Sequence, residues 1–251
     1  MTHSTLSPES PQPEGVRPLS IAVVTLFPEL FTDFAQVSFV GRAVRSSLLH
    51  LRTIDLRQFG LGKHRSVDDT PYGGGSGMVM RVDCVLSAIE EAERLMGGRA
   101  HRVLMTPQGT PLSSSTARAL AEYDRIVLIC GRYEGFDERV RHFIDHEISL
   151  GDFVLTGGEI PAMAVIESAI RFRPGVLGNE DSVKEESFSP ELGGALEYPH
   201  FTRPAEFREL VVPDILKSGN HKKISDWRHE QSLKRTAQRR PDLLKNRVEK
   251  K

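Results

Sequence analysis

The sequence predicts an α/β fold built on a largely parallel sheet. Short apolar runs of strand length recur along the chain, as in I-A-V-V-T-L (21–26), R-V-L-M (102–105) and R-I-V-L-I-C (125–130). Between them lie segments with helical spacing, above all V-D-C-V-L-S-A-I-E-E-A-E-R-L-M (82–96). Strands alternating with helices are joined by crossovers, which makes neighbouring strands parallel. Several of the apolar runs also end on glycine, where open α/β sheets collect their ligands.

Taken in order, residues 1–19 are rich in Pro, Ser and Thr and read as a disordered tail. Residues 21–26 form a buried strand, and Pro28 opens a helix over Pro28–Ala35. H-L-R-T-I-D-L (50–56) alternates as a strand does. Val82, Val85, Leu86 and Ile89 share one helix face, and Gly97-Gly98 ends that helix. A strand over 102–105, a serine-capped helix over 113–123 and a strand over 125–130 follow. S-L-G-D-F-V-L-T-G-G-E-I-P-A (149–162) reads as a further strand bounded by Gly151 and by Gly157-Gly158.

After Arg173-Pro174-Gly175 the character changes. Residues 178–197 are rich in Glu, Ser and Gly with little apolar periodicity, as in a linker or mobile loop. P-A-E-F-R-E-L (204–210) and residues 221–239 read as helices, the second with Ile224, Trp227 and Leu233 as its apolar stripe. The organisation expected is a tail (1–19), a cofactor-binding domain (20–177), a flexible linker (178–197) and a basic helical C-terminal domain (198–251).

Composition narrows the class. A hydrophobic content of 39% with 27% charged residues is that of a soluble globular protein, and no apolar run is long enough to cross a bilayer. Residues 1–20 hold no apolar core for a secretory signal, and two cysteines, Cys84 and Cys130, suit a reduced, cytoplasmic setting. The net charge of −1 conceals a split, because residues 219–251 carry eleven Lys/Arg against four Asp/Glu. A basic end on an otherwise acidic chain fits either a polyanion partner or a solvated basic helix.

The glycine clusters carry one reading singly and another together. P-Y-G-G-G-S-G-M (71–78) fits neither a phosphate loop nor a dinucleotide fingerprint, which leaves a flexible loop. M-T-P-Q-G (105–109), C-G-R-Y-E-G (130–135) and the 149–162 stretch each suit a simple turn, and jointly a cofactor pocket lined by main chain.

These same stretches carry a resemblance. T-L-F-P-E (25–29), P-Y-G-G-G-S-G-M-V-M (71–80), T-P-Q-G (106–109), C-G-R-Y-E-G-F-D-E-R (130–139), the 149–162 stretch, R-P-G-V-L-G (173–178), Y-P-H-F-T-R-P (198–204) and W-R-H-E-Q-S-L-K-R-T-A-Q-R-R-P-D-L-L (227–244) stand in one order. Together they resemble the bacterial tRNA (guanine-N1)-methyltransferases, the TrmD family, over about residues 20–245.

The resemblance implies a SPOUT-type α/β domain with a trefoil knot, plus a small helical C-terminal domain. Nothing in the residue pattern shows a knot, and threaded chains are rare. It implies S-adenosylmethionine as donor, a magnesium requirement, and methylation of N1 of the guanosine immediately 3′ of the anticodon (tRNA position 37). It further implies a cytoplasmic homodimer with shared active sites and no membrane partner.

Carried over by motif, Pro107, Gly109, Gly131, Tyr133, Glu134, Ser149, Leu150, Gly151, Leu155, Gly157, Gly158 and Pro161 hold the cofactor. The glycines are expected to give a flat adenine access to backbone hydrogen-bonding edges. N1 of guanine bears a proton, so a base must remove it while a cation stabilises the charge developing on O6. Arg171 in R-F-R-P-G (171–175) matches the family's cation. E-S-F (186–188) places Glu186 where the family usually has aspartate, a residue of nearly the same intrinsic acidity but one methylene shorter. Glu180, Asp181 and Glu185 lie beside it, and no metal-ligand set is legible.

For RNA, Gly75, Arg203, His221, Lys222, Arg228, Lys234, Arg235, Arg239 and Arg240 are the contact candidates, with phosphate the natural target of the cations. Trp227 lies in the apolar stripe and reads as core. Two other classes compete: an RNA-binding module that keeps the pocket without turnover, and a methyltransferase acting on another RNA atom such as a ribose 2′-hydroxyl.

Overall fold

The computed structural model describes residues 17–177 and 182–245. The chain divides into two compact units, Met1–Gly178 and Asn179–Lys251. Most of the expected tail (1–16) lies outside the described residues, and Leu19 already belongs to the first strand.

In chain order the first unit comprises β1 (Leu19–Thr25), α1 (Leu30–Phe34), α2 (Ser38–Arg45), β2 (Leu49–Asp55), β3 (Asp68–Asp69), β4 (Val79–Met80), α3 (Val82–Met96), β5 (His101–Pro111), α4 (Ser114–Ala121), β6 (Arg125–Cys130), β7 (His146–Ser149) and α5 (Glu159–Ile170). Strands β2-β1-β6-β5-β7 form one sheet, in that order, and every pairing is parallel. The central strands β1 and β6 are largely apolar because both faces are covered. Ile21, Val23, Ile126, Leu128 and Cys130 point into one core with residues of α2, α4 and α5. Ala22, Val24, Val127 and Ile129, one step out of phase, join the other core with Cys84, Val85, Ala88 and Ile89 of α3. The two-residue side-chain period of a strand thus feeds two layers at once.

The helices begin and end where local chemistry directs. Ser113 caps α4 by accepting from Thr116 N at 3.2 Å. Gly97 closes α3 in the left-handed region (φ 76°), with Gly97 N and Gly98 N returning to Arg94 and Glu93 carbonyls.

One expected strand is absent from the first unit. Phe153, Val154 and Leu155 belong to an irregular loop and are 54%, 82% and 39% exposed. The edge place in the sheet is held by β7, which stops at Ser149. Gly151 (φ 151°) then turns the chain away, so the apolar residues have no ladder to join.

The second unit holds α6 (Ser182–Glu185), β8 (Glu206–Phe207), β9 (Leu210–Val211), α7 (His221–Arg239) and α8 (Asp242–Lys245). The helix expected over 204–210 is instead the β8–β9 hairpin, paired Glu206 to Val211 and Phe207 to Leu210. Arg208 and Glu209 both adopt positive φ (48° and 65°), which reverses the chain within two residues. Pro204 and Pro213 bracket a stretch too short to sustain an isolated helix. Residues 195–197 lie along α7 through polar contacts: Leu196 N donates to Thr236 Oγ1 at 2.9 Å and Ser232 Oγ donates to Leu196 O at 2.6 Å. Ser232 and Thr236 are therefore the buried residues of α7, while Ile224, Trp227 and Leu233 are half-buried.

Candidate active site

The irregular middle of β5 and the carboxyl ends of β6 and β7 open into a cavity of about 340 Å³. Met105, Thr106, Pro107 and Gln108, in the stretch of β5 where its register against β7 shifts, form one wall, and Gly131 to Phe136, following β6, form a second. Ile148, Ser149 and Leu150 at the end of β7 join Phe153 to Gly158 and Pro161 to close it. The wall mixes apolar side chains (Tyr133, Phe153, Val154, Leu155) with exposed main chain and with Glu134, Glu138 and Arg141.

Of the twelve residues expected to hold cofactor, the cavity gathers Pro107, Gly131, Tyr133, Glu134, Ser149, Leu150, Leu155, Gly157, Gly158 and Pro161. Gly109 and Gly151 stand outside its lining. Gly151 is clipped to its neighbour by Ser149 Oγ, which accepts from Gly151 N at 3.1 Å and donates to Gly151 O at 3.0 Å. Tyr133 is held at a positive φ of 60°, a strained backbone for a residue with a side chain.

Four of the glycines have a packing reason within the protein itself. A Cβ on Gly109 would lie 2.5 Å from Glu147 C and Ile148 N, where β5 shifts register against β7. A Cβ on Gly158 would lie 2.7 Å from Cys130 Cα and 2.9 Å from Gly131 N. On Gly131 it would meet the Phe136 ring at 2.5 Å, and on Gly157 it would run into the Arg132 and Glu159 side chains. At Gly109 and Gly158 the space is filled by the main chain of a crossing segment, and at Gly131 and Gly157 by side chains. Backbone edges face the cavity as a consequence of those crossings.

A buried ion pair braces the same corner. Glu159, 2% exposed at the start of α5, takes Arg132 Nη2 at 3.0 Å and Thr25 Oγ1 at 2.9 Å. The Arg132 guanidinium also lies 4.3 Å from the centre of the Phe27 ring. This set ties the end of β1 and the loop after β6 to α5. Neither residue was assigned a role from the sequence, although both stand inside the G-R-Y-E-G and G-G-E stretches; a lone charge in a motif does not disclose its partner. Beside them Cys130 is fully buried, and burial, then the Glu159 carboxylate, pushes its thiol well above the usual range. Arg141 is fixed among Glu147, Glu138 and Gln108.

The two residues expected to do chemistry fall in different units. Arg171 ends α5 and is half-buried, whereas Glu186 follows α6 and is half-buried. Glu180 and Asp181 lie outside the described residues. Glu185 accepts from Tyr198 Oη at 2.6 Å; burial first, then this bond, raises the phenol to about 12. Among the described residues no group of three His, Cys, Asp or Glu side chains clusters as a metal site.

The RNA candidates divide. Arg203, His221, Lys222 and Arg239 are exposed, and Gly75 lies at φ 137° in the exposed 71–77 loop. Arg228 stacks over Tyr198 at 4.6 Å and approaches Glu185 at 3.7 Å, while Arg235 donates to Glu197 O at 3.2 Å. Lys234 pairs with Glu230 and Arg240 with Asp242, both at 2.7 Å. Trp227 is half-buried, 6.4 Å from Phe201 between ring centres.

A site of this form, at strand ends with backbone-rich walls, suits a nucleoside-bearing ligand. The profile of the family described as tRNA (Guanine-1)-methyltransferase TrmD matches residues 19–246. A protein of Sorangium cellulosum named tRNA (guanine-N(1)-)-methyltransferase is 55% identical over 245 residues, covering 90% of this chain and 93% of its own. Proteins of the same name from Pelotomaculum thermopropionicum (51%, covering 90% of each chain) and Bacillus cereus (47%, covering 91% and 93%) are similar throughout. Matched over nearly its whole described length, the chain belongs to the tRNA (guanine-1)-methyltransferase TrmD family.

Proposed function

We propose that the chain transfers the methyl group of S-adenosylmethionine to N1 of the guanosine immediately 3′ of the anticodon (position 37) of tRNA. The observation that carries this reading is the cavity beside β5, β6 and β7, lined by Gly131, Gly157 and Gly158 and by Tyr133, Phe153, Val154 and Leu155. The names of the relatives supply the nucleobase and the RNA. The trefoil-knotted SPOUT form is proposed from the family resemblance.

Leu155, Tyr133 and Pro161 would hold the adenosine by apolar contact, with the backbone of 131–134 and 149–151 offering hydrogen-bonding groups. Gly109 is assigned with them as the residue that lets β5 bend over β7. Bound there, S-adenosylmethionine supplies a methyl group already activated by its sulfonium. Glu186 accepts the proton of guanine N1, which turns that nitrogen into a nucleophile. Arg171 offsets the negative charge gathered on O6 as the proton leaves. The loop that carries Glu186 completes the site when tRNA is bound.

The substrate must also be bent open, since N1 of a stacked base is inaccessible and the guanosine has to leave its stack. Exposed cations at the start of α7 and at Arg203 and Arg239, with Gly75 on the 71–77 loop, are the assigned RNA contacts. A homodimer with shared active sites fits the apolar surface of α5, whose Ile160 is 61% exposed. Magnesium enters from the family alone, and no residue is assigned to it. A tRNA substrate is consistent with a cytoplasmic setting, and no helix of the described residues is long and apolar enough to cross a membrane.

Labelled S-adenosylmethionine and tRNA transcripts with guanosine or adenosine beside the anticodon test the reading. Methyl transfer to the guanosine transcript alone, recovered as 1-methylguanosine, is expected. Glu186→Gln is expected to bind tRNA normally and to lose about 10²-fold or more in single-turnover rate, the scale of general-base catalysis. Near-normal turnover in that variant would remove Glu186 as the base. Transfer indifferent to the nucleobase would point to a ribose or another atom. Tight tRNA binding with no transfer at all would leave an RNA-binding module.

A further inference from the structure

The 60–66 turn carries charge that nothing above uses. Leu61 N donates to Ser66 O at 2.9 Å and Ser66 N donates to Leu61 O at 3.0 Å, which closes a small antiparallel loop. Gly60 packs against the backbone of Arg65, and Arg65 N donates to Gly62 O at 3.2 Å. The tip is therefore a defined turn. It presents Lys63, His64 and Arg65 in succession, all three exposed.

Their charges are uncompensated. Among the described residues neither Lys63 nor Arg65 makes an ion pair. On the neighbouring segments Arg57, Arg81, Arg139 and Arg141 are each paired with a carboxylate. Two cations held out on a closed turn without counter-charges retain condensed anions, and exchanging those for phosphates is the source of salt-dependent RNA affinity. Such contacts fix a strand's position and read no sequence.

The tip is also joined to the cavity through a short run of backbone. After Ser66, Val67 O accepts from Arg81 N at 2.8 Å, and β3 pairs with β4. Met80 N donates to Gly135 O at 2.9 Å and Glu134 N to Met78 O at 3.0 Å, and both Glu134 and Gly135 line the cavity. A strand gripped at the tip is thereby held in register with the place where its base must arrive.

We propose that Lys63 and Arg65 form a phosphate-contacting point for the substrate RNA on the cavity-bearing unit, separate from the basic C-terminal unit. The proposal rests on the tRNA reading above. Its test is the affinity of wild type, Lys63→Ala and the Lys63→Ala/Arg65→Ala double variant for a tRNA transcript across a salt series. S-adenosylhomocysteine affinity by calorimetry and thermal midpoint are measured alongside. The double variant is expected to bind roughly tenfold or more weakly at about 0.1 M salt. Its slope of log Kd against log salt should be shallower by about 1.4–1.8, at about 0.7–0.9 per lost contact.

Lys63→Ala should show half that change, which keeps the question decidable if the double variant does not fold; Arg65 sits at a positive φ of 51°. Cofactor-product affinity and thermal midpoint should stay at wild-type values. An unchanged slope in variants of a wild type that binds tRNA would overturn the tip assignment alone. A wild type with no salt-dependent tRNA binding would remove the tRNA reading and the tip with it.

Discussion

At the scale of single residues, the corner where α5 begins is governed by the absence of atoms. Gly158 N donates to Gly131 O at 3.0 Å, and its Cα lies so near Cys130 that no side chain fits between them. The atoms in the way are backbone, so no flexible side chain can yield. Gly158→Ala should then separate α5 from β6, with a cost of about 1–3 kcal/mol in overpacking. The same shift widens the cavity wall, so S-adenosylhomocysteine should bind at least tenfold more weakly. Denaturant unfolding and calorimetry check the two effects, and an alanine variant matching wild type in both would refute the close crossing. The positions of these glycines were legible in the sequence, because Gly-Gly after an apolar run is conspicuous. Their reason was not. A glycine needed for a crossing and one needed for a ligand look alike until the residues opposite, here Glu147, Ile148 and Cys130, are known to be distant in sequence and adjacent in space.

At the scale of elements, α3 and β5 are fastened by one carboxylate. Glu93 accepts from Arg102 Nε at 2.9 Å and Nη2 at 2.8 Å, from Ala100 N at 3.1 Å and from Arg99 Nη1 at 3.2 Å. Burial pushes this carboxyl up, but the Arg102 and Ala100 bonds outweigh it and leave Glu93 below its ordinary value of 4.5. A carboxyl with a lowered value in the folded state stabilises fully above the unfolded value. That contribution is lost as pH falls from about 4.5 through the folded value. Unfolding free energy should therefore drop as pH falls below about 4.5, and Glu93→Gln should flatten that part of the curve while lowering stability at pH 7. A wild-type slope retained in Glu93→Gln would assign the acid sensitivity elsewhere. Elements with strong local signals were readable: α3, α7 and β6 occupy the spans that periodicity and capping predict. The β8–β9 hairpin was not, because Phe207 and Leu210 sit three apart and satisfy a helix stripe and a two-residue reversal equally well. β7 was missed for another reason. Of its four residues, His146–Ser149, three are polar and only Ile148 is apolar, and only pairing with β5 makes them a strand.

At the scale of the whole molecule, the surface of the first unit raises the question of association. A helix that is apolar on all sides belongs in an interior, yet α5 leaves Ile160 61% exposed. Leu30 in α1, Phe39 in α2 and Val37 just before it are 46%, 38% and 57% exposed, and α5 packs against both α1 and α2. Solvent contact at four large apolar residues on adjoining helices forgoes about 25 cal/mol for each Å² that a partner would cover. A second copy is the partner the homodimer proposal names, and a two-fold interface places the same patch on both sides. Ile160→Asp would set one carboxylate against its symmetry mate in a desolvated patch, where like charges repel and unpaired charge is costly. Sedimentation equilibrium should show wild type as a dimer at micromolar concentration and Ile160→Asp as a monomer. If active sites are shared, methyl transfer should fall with the dimer fraction and recover in mixtures only where wild-type subunits pair. A variant that stays dimeric at full activity would move the interface away from α5, and a monomer at full activity would end the case for shared sites.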